Sequence, residues 1–182
     1  MLIAALISGA IGYGLMVFLM TATPISMQKN GFEFHDIATV IQWHVLGMFV
    51  PSFFTGYLIR WAGARNTILL GCILLISSAL VGLMGVSWAF YFVALIFLGV
   101  GWNFTFIGAT ILLTLTYQPS EKGKVQGLNE FIVFSASAVG SFMAGPFIGI
   151  LGWSWSNILS IPFVIVAMFL ILRVPIGAVK IK

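Results

Sequence analysis

Four polar side chains in the last third of the chain are spaced to share one helical face. They recur at intervals of four, seven and four residues and are Gln126, Glu130, Ser137 and Ser141. Such intervals return to the same side of an α-helix. Glu130 lies roughly 10 Å into an apolar segment, and an acid at that depth usually faces a cavity or a proton path. We predict that Gln126 and Glu130 act in gating or proton coupling; the alternative is an interfacial acid that pairs with Lys122 or Lys124 or caps its helix.

A second polar stripe lies in the preceding apolar segment. It consists of Asn103, Thr110, Thr114 and Tyr117. The two segments run in opposite directions, so Asn103 and Ser137 are expected at similar depth, as are Thr110 and Glu130. Matching polar faces indicate a shared aqueous path. The alternative for the asparagine and the threonines is hydrogen bonding between helices, which is worth about 0.6 kcal/mol for each bond.

Three further candidates lie nearer the N-terminus. Tyr13 stands between two glycines, and Gln42 and His44 lie in the next apolar segment. Core packing is the alternative for Tyr13, and also for His44, although its usual pKa suits a proton switch. The predicted substrate cavity is lined by Tyr13, Gln42, His44, Asn103, Thr110 and Ser137.

Patterns typical of enzymes and cofactor sites are missing from the sequence. It has no G-x-S-x-G nucleophile elbow, no H-E-x-x-H, no cluster of Cys and His, and no phosphate-binding loop. Cys72 is the single cysteine, and it lies in an apolar stretch where a small core residue is expected. We therefore expect no enzyme, no cofactor and no metal site. The basic residues cluster at predicted helix ends, so no nucleic-acid partner is expected.

The composition indicates how these side chains are positioned. Hydrophobic residues make up 61% of the 182 residues, and only 8 Lys plus Arg and 4 Asp plus Glu are present. A soluble domain carries about 25% charged residues, so a soluble protein is excluded and an all-α membrane protein is predicted. Six segments reach the roughly 20 apolar residues of a spanning helix. They form a single domain and cover residues 2–22, 36–59, 67–84, 89–117, 125–151 and 155–172.

Charge and proline positions add orientation and topology. Seven of the eight basic residues fall on one predicted side, which places both termini in the cytoplasm by the positive-inside rule. These residues are Arg60, Arg65, Lys122, Lys124, Arg173, Lys180 and Lys182, whereas Lys29 falls on the other side. The short connections predict that consecutive helices are antiparallel neighbours. Pro24 is expected in a connection, and Pro51 inside the second span.

The connection after the second span carries a recognisable pattern. Four of its residues match the loop signature G-x-L-x-D-R-x-G-x-R of the major facilitator superfamily and are Gly56, Leu58, Gly63 and Arg65. Arg60 and Trp61 depart from it, so the charge network of the family's loop Asp does not carry over. Residues 145–149 resemble the family's G-P-x-x-G kink, and residues 101–106 and 122–131 resemble the starts of its tenth and eleventh helices. The chain is thus identified as a member of this superfamily.

The resemblance implies a particular architecture and function. Family members have twelve helices in two six-helix halves, and this chain supplies one half. The C-terminal half is favoured because the fourth span lacks the Arg that N-terminal halves often carry. A secondary transporter of a small solute by alternating access is expected, in a bacterial inner membrane. Its second half would come from the same chain in a longer form or from a homodimer. The alternative is a six-helix channel or a membrane scaffold without a transport cycle.

Overall fold

A computed structural model describes residues 1–175, and every regular element in that range is helical. The long helices are α1 (Leu2–Lys29), α2 (Phe34–Phe49), α3 (Ser52–Ala62), α4 (Ala64–Leu83), α5 (Trp88–Thr114), α6 (Lys122–Ile150) and α7 (Gly152–Leu172). A short 3₁₀ turn, Pro119–Glu121, precedes α6. The predicted all-α fold is confirmed. Two of the predicted cytoplasmic charges, Lys180 and Lys182, lie outside the described residues.

Five of these helices are long and apolar enough to cross a bilayer, and α2 and α3, bent by 42° where they meet, are long and apolar enough together to form a sixth span. The bend falls at Pro51, which has no N–H to donate to the carbonyl of Gly47. The helical ladder is therefore interrupted, and the backbone restarts at Ser52. The predicted span over residues 36–59 falls on α2 and α3, which are two helices joined at a bend and not one straight helix.

The expectation that Pro24 lies in a connection is wrong. α1 continues through Pro24 to Lys29, one turn and a half beyond it. A proline removes one helical donor, and membrane helices tolerate that loss where neighbouring groups compensate. The last turns of α1 are held from outside, since the hydroxyls of Ser26 and Tyr91 are 2.7 Å apart. This contact with α5 keeps the chain helical past the proline.

Helix packing departs from the predicted order of neighbours. α4 and α5 pack tightly on one another, as expected of consecutive helices. α5 and α6 do not, because α1 packs against both of them and also against α7. Close approach depends on glycine: a Cβ on Gly71 would lie 2.7 Å from Thr105 Cγ2 of α5. A Cβ on Gly140 of α6 would lie 2.5 Å from the carbonyl oxygen of Gly14.

The turn between α3 and α4 depends on one glycine. Gly63 has φ of 83°, a left-handed conformation that side chains disfavour. Two residues later, Arg65 Nε donates to the carbonyl of Ile171 at 3.3 Å, and its Nη2 donates to the carbonyl of Leu172 at 3.2 Å. Arg65 thus adds side-chain donors to the last carbonyls of α7, of which that of Ile171 also accepts from the N–H of Val174 at 3.0 Å. We call this end of the bundle, where Arg60, Arg65 and Arg173 lie, the basic end.

Candidate functional site

Aromatic rings from four helices meet around Tyr13. The ring centroids of Tyr13 and Trp102 are 5.5 Å apart, and those of Tyr13 and Phe106 are 5.2 Å apart, both edge to face. Trp102 and Phe106 stack at 5.4 Å with an interplanar angle of 8°. Phe134 of α6 approaches Tyr13 at 6.3 Å, and Phe49 of α2 approaches Trp102 at 6.3 Å. We call these five residues the aromatic cluster.

The glycines beside Tyr13 explain why these rings meet. A Cβ on Gly12 would lie 2.6 Å from Thr105 Oγ1 of α5, and one on Gly14 would lie 3.2 Å from Ala136 Cβ of α6. α1 therefore approaches α5 on one side and α6 on the other. The ring of Tyr13 projects between them and remains half-buried. Phe49 and Phe134 are more than half exposed, so the cluster has an open aromatic face.

Asn103 is positioned differently from the sequence-based prediction of a cavity-lining residue. Its side chain is fully buried and faces the break between α2 and α3. Nδ2 donates to the carbonyl of Met48 at 2.7 Å and to Ser52 Oγ at 2.6 Å, and Oδ1 accepts from Thr55 Oγ1 at 2.6 Å. The amide thus supplies donors to a backbone that Pro51 has interrupted.

His44 and Gln42 of α2 lie in opposite environments. His44 is fully buried, and its Nδ1 lies 2.8 Å from the carbonyl oxygen of Leu95 on α5. Its Nε2 is buried without a hydrogen-bond partner. Gln42, two residues away, is exposed. The structure therefore places Gln42 on the open surface of the bundle and His44 within the packing of α2 on α5.

The two predicted polar stripes meet only near the basic end. Gln126 Nε2 donates to the hydroxyl of Tyr117 at 2.7 Å, which joins the start of α6 to the segment after α5. Glu130 is exposed, and its Oε1 accepts from Asn129 Nδ2 at 3.4 Å. Thr110 donates to the carbonyl of its own helix at Phe106, at 2.9 Å.

Deeper in the bundle the stripes separate. Ser137 is partly exposed on α6, whereas Asn103 faces α2 and α3 from α5. Asn103 and Ser137 do not face each other within the described residues, because α1 packs against both α5 and α6 while these two helices make little contact.

The four residues of the loop motif have different roles. Gly63 supplies the turn and Arg65 binds the end of α7, as described above. Leu58 is half-buried, while a Cβ on Gly56 would meet nothing within 4 Å. Arg60, at the family's Asp position, lies over the ring of Tyr57 with its guanidinium carbon 4.7 Å from the ring centroid. The structure gives no reason for glycine at position 56.

Exposed surfaces of α6 and α7 differ in polarity. On α6 Glu130 and Ser141 are exposed among apolar side chains such as Phe131 and Phe142. On α7 they include Ile158, Ile165 and Phe169. A carboxylate is costly in hydrocarbon, whereas a row of aliphatic and aromatic side chains is suited to it. The polar side of α6 therefore requires water or protein beside it in a membrane.

Five apolar helices long enough to cross a bilayer, with the bent α2–α3 pair as a sixth candidate, define a multi-pass integral membrane protein. The family model of the Major Facilitator Superfamily matches residues 1–180. The chain belongs to that superfamily, as its loop motif and helix count predicted.

Known proteins of the superfamily resemble the chain over nearly its whole length. The riboflavin transporter RfnT of Brucella anthropi is 47% identical over 178 residues, which are 97% of this chain and 45% of that protein. The uncharacterized MFS-type transporter YddS of Bacillus subtilis is 30% identical over 159 residues, 86% of this chain and 36% of its own length. The chain thus spans less than half of the length of these relatives.

A solved structure supports the same fold. The crystal structure of a D-xylose-proton symporter superposes with a TM-score of 0.71 at 14% sequence identity. The match covers 96% of this chain and 47% of the symporter chain. At that identity the likeness concerns the fold alone.

The aromatic cluster, apart from Tyr13, was missed by sequence reasoning. Its other members are Phe49, Trp102, Phe106 and Phe134. Aromatic residues in an apolar span fit a lipid-facing surface, a protein core and a solute site equally well. The available signal was the pair of glycines around Tyr13, which indicates close approach of neighbouring helices.

Proposed function

We propose that the chain is one six-helix half of a secondary transporter that carries a small solute by alternating access across a bacterial inner membrane. Membership of the superfamily and its bacterial transporter relatives support this proposal. The exposed polar side of α6 is the observation that carries it, because Glu130 and Ser141 need a watery path or a partner surface. A second half packed beside α6 and the α2–α3 span would supply both.

The solute we propose is a planar heteroaromatic molecule of the riboflavin type. The 47% identical relative is named a riboflavin transporter. The open aromatic face around Tyr13 supports the same class, because a flat ring system stacks favourably on aromatic side chains. Few charges lie near this face, which suits a neutral ring better than a strongly charged solute.

Uptake of tritiated riboflavin into vesicles tests the substrate class. Tyr13→Ala removes the ring at the centre of the cluster. It is expected to raise the half-saturating riboflavin concentration about tenfold, since aromatic pairs contribute about 0.5–1.5 kcal/mol each. Trp155→Ala is the matched control, because Trp155 is exposed at the end of the bundle away from the cluster. Equal uptake by the two variants would refute this substrate class. Uptake that unlabelled riboflavin does not inhibit would refute it as well.

Glu130 is our candidate for coupling to protons. Glu130 is an acid within α6, and the hydrogen bond that it accepts comes from the neutral side-chain amide of Asn129. Glu130→Gln keeps the shape of the side chain and removes its titration. We expect this variant to lose concentrative uptake driven by a proton gradient and to retain exchange of solute across the membrane. Unchanged concentrative uptake would end the assignment.

The other candidate function is a stand-alone channel or a scaffold. The stoichiometry of the active unit distinguishes it from a transporter half. A transporter half should be active only with a second half, as a homodimer or within a longer chain. A channel should conduct ions in planar bilayers without saturation by solute. A scaffold should give no flux in either assay.

A further inference from the structure

A groove of about 480 Å³ lies between α1, α6 and α7. Its walls include Phe18 of α1, Val139 and Met143 of α6, and Leu159 and Phe163 of α7. A hydroxyl, that of Ser160, also lines it, but this group donates to the carbonyl of Asn157 in its own helix at 2.7 Å. The groove is apolar, and its volume falls in the range of about 300–1,000 Å³ that encloses small molecules.

The groove follows from how the three helices pack. α1 crosses α6 closely at Gly14 and Gly140 and also packs on α7. α6 and α7 therefore sit on α1 side by side and contact each other only weakly. The space between them has α1 as its floor and remains open on the outer side.

The open side faces away from the polar side of α6. At 3.6 residues per turn, the groove-lining residues of α6 point about 110° away from its polar residues. Those lining residues are Ala136, Val139, Gly140, Met143 and Phe147. The groove lies on the side of α7, whose exposed surface is apolar. It therefore opens toward hydrocarbon and not toward the proposed second half.

A positive charge stands at one end of the groove. Lys29 Nζ donates to the carbonyl of Ile148 at 3.1 Å, one residue beyond Phe147 of the groove wall. Lys29 is exposed at the end of the bundle opposite the basic end. From Ile148 to Ala136 is about 18 Å along α6 at 1.5 Å per residue, close to the roughly 15 Å depth of one leaflet.

We propose that this groove binds an acyl chain of an anionic phospholipid, whose headgroup phosphate pairs with Lys29 and is not offset by a cationic group of its own as in phosphatidylcholine. A lateral opening to hydrocarbon is filled by acyl chains, since no water is available there. The charge at one end and the length of one leaflet select a phospholipid from the leaflet on the Lys29 side. The site does not depend on which solute the protein carries.

Photo-crosslinking tests the proposal without a transport assay. The wild-type chain is reconstituted in phosphatidylcholine vesicles that contain a small fraction of phosphatidylglycerol carrying a diazirine near the end of one acyl chain. After irradiation, labelled peptides are mapped by mass spectrometry. Val139→Trp fills the groove from its wall, and Ile165→Trp places the same ring on the far side of α7, where Ile165 is exposed. Lys29→Ala removes the headgroup partner.

We expect label to concentrate on the α1, α6 and α7 residues of the groove, to fall in Val139→Trp and to persist in Ile165→Trp. Lys29→Ala is expected to lower labelling by phosphatidylglycerol about fivefold. The same diazirine on phosphatidylcholine should label the groove less than phosphatidylglycerol does. Label spread evenly over α4 and α7 would overturn the proposal, as would equal labelling of the wild type and Val139→Trp. Equal labelling by the two lipids would overturn the role of Lys29.

Discussion

Replacing Asn103 with leucine tests whether this residue holds the break in the second span. Leucine has a similar size and removes all three hydrogen bonds to Met48, Ser52 and Thr55. Bonds between membrane helices average about 0.6 kcal/mol each, so their loss costs about 2 kcal/mol. The carbonyl of Met48 also loses a donor inside the bundle, at a cost of about 1–3 kcal/mol. The expected loss of unfolding free energy is about 3–5 kcal/mol.

Equilibrium unfolding of the purified chain in mixed micelles measures this loss. The matched control is Asn66→Leu, because Asn66 is exposed and donates only to the carbonyl of Ala62 in its own turn, at 2.9 Å. That control is expected to change stability by less than about 0.5 kcal/mol. A second arm pairs Asn103→Leu with Ser52→Ala, and the two effects should be less than additive because the two side chains share a bond of 2.6 Å.

Two outcomes would refute the reasoning. A loss below about 1 kcal/mol in Asn103→Leu would mean that the break is held without the amide. Strict additivity with Ser52→Ala would mean that the bond between the two side chains contributes nothing. In the first case the bend at Pro51 would rest on backbone sterics, and in the second the amide would act only through Met48 and Thr55.

Three further changes address the turns and helix contacts. Gly63→Ala places a side chain at φ of 83° and is expected to cost about 1–2 kcal/mol of unfolding free energy in micelles. Arg65→Gln removes donors from the last carbonyls of α7, and we expect faster amide exchange there with little change in α5; equal exchange would contradict the contact. Gly71→Val is expected to push α4 away from Thr105, which costs about 1–3 kcal/mol of unfolding free energy and lowers the melting temperature. Gly149→Val is the control, because a Cβ at that position meets nothing within 4 Å and the melting temperature should stay unchanged.

Much of the fold follows from the sequence because the charges are few. With 12 charged residues in 182, each apolar run stands out against its ends, and the predicted segments match the helix ends to within about three residues except at the end of α1. The end of α1 was missed because proline usually ends helices in water. In this chain a contact 65 residues away, between Ser26 and Tyr91, extends α1 past Pro24. A long-range contact of that kind has no local signature.

The candidate site could be predicted only in part, for a related reason. Helical periodicity places polar residues on faces, but it does not say which neighbour each face meets. Asn103 and Ser137 match in depth, yet α1 separates their helices. Glycine spacing carries the missing information, since Gly14 and Gly140 mark the crossing that brings α1 between α5 and α6.

Polar groups within the spans divide into two sets by where their partners lie. Asn103 has protein partners for both amide atoms, and His44 uses its Nδ1 within the described half. Gln42 and Glu130 instead remain on open surfaces of the α2–α3 span and α6. In a bilayer Asn103 is hydrogen-bonded at both amide atoms within the described half and His44 is bonded at Nδ1 but not at Nε2, whereas Gln42 and Glu130 are stable only beside water or another protein surface. Gln42 and Glu130 are therefore the polar residues of these spans that remain accessible to a solute, to water or to another protein surface.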